Sequence, residues 1–190
     1  MPQPDQLWKL DIDVGEPTEE DLKKYWAKCR EKLGMVPNVI RAVSQNPKKA
    51  RTFIAMYNEL MLGDSGLSKL EREMIAVVVS SANRCYYCLV AHGQAVRQYA
   101  GDPQLGEMLV MNYRVADLPV RQRAMLDFAW KLTLTPFDVG DADRDGLKAH
   151  GFTPQDIYDI CDVVAFFNMS NRMAHGTEMI PNAEYHAMSR

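Results

Sequence analysis

Two thiols, an imidazole and an upstream carboxylate fall within twenty residues: Glu73, Cys85, Cys88 and His92. On a helix advancing ~100° per residue, Cys85, Cys88 and His92 stand at i, i+3 and i+7 and share one face. A thiol at its reference pKa of ~8.5 is mostly protonated at neutral pH, so redox work needs a base, a cation or a helix N-terminus to favour the thiolate. Two arguments compete for it. Cys88 has His92 one turn away at i+4, whereas Cys85 falls near N2 of a helix capped by Asn83, where free amides favour an anion. A second thiol close by can regenerate the first through a disulfide. The same four groups, Cys85, Cys88, His92 and Glu73, also form a set that zinc accepts, although three ligands on one helical face are hard to arrange tetrahedrally. Redox sensing through the disulfide is a further alternative.

Glu73 is the least obvious member. On one straight helix, twelve residues would put it ~18 Å from Cys85, too far for a relay. It joins the site only if the chain turns between Ser80 and Asn83; otherwise it reads as a solvated carboxylate. Glu71, three residues after Ser68, is the capping-box partner. Cys29 and Cys161 lack a neighbouring base and read as inert core thiols. Of Tyr86 and Tyr87, at least one should pack with its hydroxyl satisfied. Arg172, in an aromatic context, is expected to pair with a buried carboxylate.

The elements that must position these groups are helical. Thr18 to Asp21 opens a helix that Gly34 ends, and Pro37-Asn38 starts a short one to about Gln45. Asn46-Pro47 opens a third helix, to Gly63, with Phe53, Ile54, Tyr57, Leu60 and Met61 on its apolar side. Met74 to Val79 contains no polar residue and should be buried. Further helices are expected at 103–113, 119–132, 141–150, 154–167 and 168–179, with strand-like alternation almost absent. The class is therefore all-α, with residues 1–16 as a polar arm, one domain over 17–190 and the redox core at 68–100.

One echo runs through the chain. Aligning Ala91-His92-Gly93 with Ala174-His175-Gly176 sets Asp156 opposite Glu73, Asn168 opposite Cys85 and Asn171 opposite Cys88. A duplicated hairpin with one silent site would explain it. So would chance, with Asp156 completing a cap begun by Thr153.

Composition bounds the rest. The chain has 190 residues, 47% hydrophobic and 25% charged, with a formal charge of -3 and mixed signs, which disfavours nucleic acid and anionic membranes as partners. No apolar run approaches ~20 residues and no leader is evident, so a cytoplasmic location is expected. Four cysteines are too few for a disulfide scaffold at this length. Helices as apolar as Met74 to Val79 and Val163 to Phe167 suggest a homo-oligomer.

Together these residues resemble the alkylhydroperoxidase AhpD-like branch of the carboxymuconolactone decarboxylase superfamily, in particular its peroxidase-related members. Supporting stretches are Leu33 to Val39, Leu67 to Glu73, Leu132 to Pro136 and Phe166 to Arg172, so the likeness spans about 30–180. The resemblance implies an all-helical, homo-oligomeric subunit that reduces hydroperoxides without metal or flavin and is recharged by an external dithiol or thioredoxin-like donor. Carried over by motif, Cys88 would attack the peroxide, Cys85 would resolve it as a disulfide, and Glu73 with His92 would relay protons. The chain departs from the peroxidases at Tyr87, where they carry a second histidine. Family members lacking the cysteines do other chemistry, decarboxylation included, so the fold alone does not decide activity.

Overall fold

The computed structural model describes residues 3–190. Among them are nine α-helices and no strand: α1 (Glu20–Leu33), α2 (Asn38–Ser44), α3 (Pro47–Leu62), α4 (Lys69–Ala82), α5 (Tyr86–Ala100), α6 (Pro103–Asn112), α7 (Val120–Leu134), α8 (Asp141–Ala149) and α9 (Pro154–Thr177). Local signals set most boundaries. Gly34 closes α1 in the left-handed region (φ 72), and Asn46 caps α3 by accepting from the Lys49 amide, with Pro47 at the first helical position.

Helix α4 is the centre of the subunit. Met74 to Val79 are all 0% exposed because α5, α6, α7 and α9 surround the helix. Full burial of a Val, Ile or Met side chain contributes about 1.5–3 kcal/mol, so this one segment organises the core. The apolar stretches of α4 and α9 are thus covered by the subunit's own helices, which removes them as a reason to expect a second copy. The N-terminus of α4 carries the expected capping box, Ser68 accepting from the Glu71 amide and Glu71 accepting from the Ser68 amide. Arg72 reaches back from α4 to donate to the carbonyls of Leu60 and Gly63, satisfying acceptors at the end of α3.

The chain turns where Glu73 requires it. Cys85 N donates to Ser80 O at 2.8 Å and Arg84 N to Ser81 O at 3.1 Å, with Arg84 left-handed at φ 55. This Schellman pair stops α4 and reverses the chain into α5. Asn83 is the C-cap of α4, not the cap of the cysteine helix, and Cys85 is itself the N-cap of α5 rather than its second residue.

The 154–179 region corrects a second expectation. Instead of two helices, α9 runs unbroken for 24 residues, so Asp156, Asn168, Asn171 and His175 lie along one rod and do not build a second hairpin. No residue within it leaves the right-handed region. Asp156 completes the Thr153 capping box instead. Arg172 donates to Asn168 O and Oδ1 at the exposed surface and meets no carboxylate. Residues 3–19 carry no helix; Lys9 and Leu7 bond to Thr177 and Ile180, which seats Trp8 in the same apolar cluster as the two thiols.

Candidate active site

The turn folds α4 against α5 and brings Glu73 to His92. Glu73 Oε2 and His92 Nδ1 are 2.7 Å apart, and the Glu73 carboxylate is buried, not solvated. A carboxylate at Nδ1 takes that nitrogen's proton as a hydrogen bond, which leaves Nε2 as the basic atom. The Phe167 ring meets the imidazole in a T-shaped pair at 4.6 Å between centroids.

Cys88 and His92 lie one helical turn apart on α5 and line one cavity of about 660 Å3 together with Glu73. Cys85, three residues earlier, instead lines a smaller cleft with Arg84, Tyr86 and His175. Both thiols are free and 1% exposed. Their protons are unequal. The Cys88 thiol, donating to Cys85, pulls the Cys85 pKa down to about 6 against the cost of burial, with the Cys88 backbone amide and then the His175 and His92 imidazoles helping. Cys88 is pushed well up, first by that same bond to Cys85 and then by burial. The first proton of the pair therefore leaves more readily from Cys85 than from Cys88.

The amides of α9 hold this arrangement. Asn83 Nδ2 donates to Asn168 Oδ1 at 3.1 Å and Asn171 Oδ1 at 2.9 Å, Asn171 Nδ2 donates to Ser80 Oγ at 3.0 Å, and His175 Nε2 donates to Asn83 O at 2.9 Å. The residues that echo the thiols thus clamp the turn that carries the thiols.

Tyr87 occupies the position of the missing histidine, and its hydroxyl accepts from the Val39 amide at the start of α2. It is a packing residue, while Tyr86 is exposed. Tyr57 is the cavity residue that sequence reasoning overlooked. It lines the cavity, its ring centroid is 6.4 Å from that of His92, and burial followed by the nearby Glu73 charge keeps its hydroxyl protonated. Among the described residues that hydroxyl has no hydrogen-bond partner. The period that placed Tyr57 beside Phe53 and Leu60 made it look like core; only a tyrosine standing where a phenylalanine would pack equally well hinted otherwise. Cys29 borders the same cavity, and burial raises both its pKa and that of Cys161.

The zinc arrangement is not assembled: Glu73 and His92 pair with each other, and Cys85 turns to the second cleft. Among the described residues no three His, Cys, Asp or Glu side chains converge as a metal would require.

Residues 47–129 match the profile of the carboxymuconolactone decarboxylase family. An uncharacterised peroxidase-related protein from Silicibacter sp. TM1040 is 59% identical over 100% of both chains, with a TM-score of 0.96. The chain belongs to this family. Within it the likeness is to the AhpD-core proteins: an uncharacterised peroxidase-related protein from Ralstonia eutropha JMP134, described as an alkylhydroperoxidase AhpD core, is 42% identical over 100% of this chain and 98% of that one, with a TM-score of 0.92. The debrominase Bmp8, in complex with 2,3,4-tribromopyrrole, shares the fold at 18% identity and a TM-score of 0.77 over 93% of this chain and 96% of its own. No curated protein matches the chain. Among the described residues no helix is long and apolar enough to cross a membrane.

Proposed function

We propose that this AhpD-like protein is a thiol-dependent hydroperoxide reductase in which Cys88 attacks and Cys85 resolves. The observation that carries the reading is the division of the two thiols: Cys88 shares a cavity with the Glu73–His92 pair, while Cys85, three residues earlier, lines a separate cleft and is the more readily ionised. Ionisation favours Cys85, and the acid–base pair favours Cys88. The two thiols are equally buried, so the larger cavity and its groups decide: only Cys88 lines the space that holds Glu73 and His92, and His92 can supply the ionisation that Cys88 lacks.

In the proposed cycle, Nε2 of His92 takes the Cys88 proton as the sulfur attacks the distal peroxide oxygen. The S–O bond forms, the O–O bond breaks, and the departing alkoxide receives the proton back from His92, with the Tyr57 hydroxyl as a hydrogen-bond donor to it. Glu73 stabilises the imidazolium in between. The Cys85 thiolate then attacks the Cys88 sulfenic acid, the disulfide forms, and the displaced hydroxide becomes water with a proton from solvent. An external dithiol or thioredoxin-like donor returns the pair to its reduced state. No metal or flavin enters these steps.

The test is a thiol count before and after one equivalent of cumene hydroperoxide, with a metal assay on the same sample. Wild type should lose two thiols, and Cys85→Ser should stop at a sulfenic acid on Cys88. Retention of the first oxidation by Cys88→Ser would reverse the assignment. Stoichiometric zinc lost with Cys88→Ser would replace the redox reading with a metal site. Homo-oligomerisation, which rests on the family likeness rather than on the apolar helices, is part of the same proposal, and light scattering at micromolar concentration should give more than a monomer.

A further inference from the structure

The cavity is much larger than the chemistry at its floor needs. Hydrogen peroxide is little bigger than water, whose share of liquid volume is about 30 Å3. The space beside Cys88 is about 660 Å3, within the range that encloses whole organic ligands. Its walls include Phe53, Phe166, Phe167, Val39 and Ile40. Its charge is one-sided. Lys28 and Lys32, one turn apart on α1, and Lys69 on the first turn of α4 border the cavity and are exposed. None of the three lies in an ion pair among the described residues, where lysines 23, 131 and 148 do. The one carboxylate on the lining, Glu73, is committed to His92.

Net positive potential at the rim, an apolar body and acid–base groups at the floor select a molecule with the complementary order of parts. We infer that the cavity takes amphipathic carboxylates, and, resting on the hydroperoxide reading above, that the physiological substrate class is the hydroperoxide of a long-chain or aromatic carboxylic acid. The carboxylate lies at the lysine rim, the apolar body along the phenylalanines and the peroxide group at Cys88. Hydrogen peroxide and small alkyl hydroperoxides leave most of the cavity unfilled and are poor substrates by comparison. The chemical step is the one already balanced: Cys88 takes the distal oxygen and the corresponding hydroxy acid leaves.

Binding can be tested apart from catalysis. Calorimetric titration of the reduced wild-type protein with decanoate and with decanol should show the carboxylate bound on the order of tenfold more tightly at low ionic strength, with the advantage falling as salt screens it. In the protein carrying Lys28→Glu, Lys32→Glu and Lys69→Glu the preference should invert. In the kinetic arm, the ratio of kcat/KM for linoleic acid hydroperoxide to that for its methyl ester should exceed about ten in wild type and fall below one in the triple variant; a ratio cancels any general loss of active protein. Equal binding of decanoate and decanol, or a preference indifferent to salt, would overturn the inference. Charge-dependent decanoate binding without any peroxide consumption would keep the cavity assignment and remove the redox reading. Peroxide consumption with no preference for acid over ester would do the reverse.

Discussion

The α4–α5 hairpin and α9 carry the same spacing of polar groups and end as different objects. In the hairpin, Glu73, Cys85, Cys88 and His92 are interrupted by a left-handed residue, and the carboxylate comes to 2.7 Å from the imidazole. In α9, Asp156, Asn168, Asn171 and His175 follow one another along an unbroken helix, where nineteen residues separate acid and base by about 28 Å. Spacing therefore does not make the site; the Schellman turn does. The α9 set is not idle, since its amides hold that turn closed.

The comparison breaks most sharply at its two histidines. His92→Ala should slow the first oxidation of Cys88 by about 10²–10⁴-fold, the usual contribution of a positioned acid–base group, whereas His175→Ala should leave it within severalfold in stopped-flow traces. The reverse pattern would mean that α9 is the working half.

The pH dependence separates the thiolate from its clamp. With Cys85 at about 6 in the reduced protein, its alkylation by iodoacetamide should slow roughly tenfold per pH unit below that value and level off above it. The depressed pKa also contributes folding stability, gained as pH rises from about 6 to the unfolded value of 9.0 and lost as pH falls through about 6. Cys88, whose pKa is raised, loses its contribution only above 9.0, so the two windows do not overlap. Ultraviolet titration should show one thiolate near pH 6, and Cys88→Ala, which removes the main stabilising donor, should move it upward. A titration unmoved by Cys88→Ala would assign the depression to the helix terminus instead.

Asn171→Ala should lower stability by about 1–3 kcal/mol in urea unfolding, because Asn83 and Ser80 lose a buried partner, and should slow turnover without abolishing it. The smallest effect distinguishes the turn from the rod. Arg84→Gly relieves a left-handed non-glycine residue and should raise stability by about 0.5 kcal/mol, while Arg172→Gly inside α9 should lower it by about 1 kcal/mol. Equal losses at both sites would show that the bend at Arg84 costs the chain nothing.

The helix starts at Asn46 and Ser68, the stop at Gly34 and the burial of Met74 to Val79 were legible because each is written in neighbouring residues. The site was legible as a set of types: the close thiols and the imidazole one turn on. Three features were not. The ionisation of Cys85 depends on the orientation of the Cys88 thiol and on His175 from α9; the place of Tyr57 beside His92 depends on a cavity walled by several helices; and the partners of Asn168 and Asn171 depend on α9 packing against the end of α4.

By itself the sequence determined which groups could react and where most helices begin, because capping, left-handed stops and apolar periodicity act over a few residues. Tertiary structure alone decided that Glu73 is buried against His92, that Cys88 and Cys85 face different spaces, and that the amides of α9 serve as a clamp. The reason is physical: a charged or amide side chain satisfies its hydrogen bonds with whatever the fold brings within about 3 Å, and residues 19 to 92 positions apart are brought that close only by the packing of whole helices.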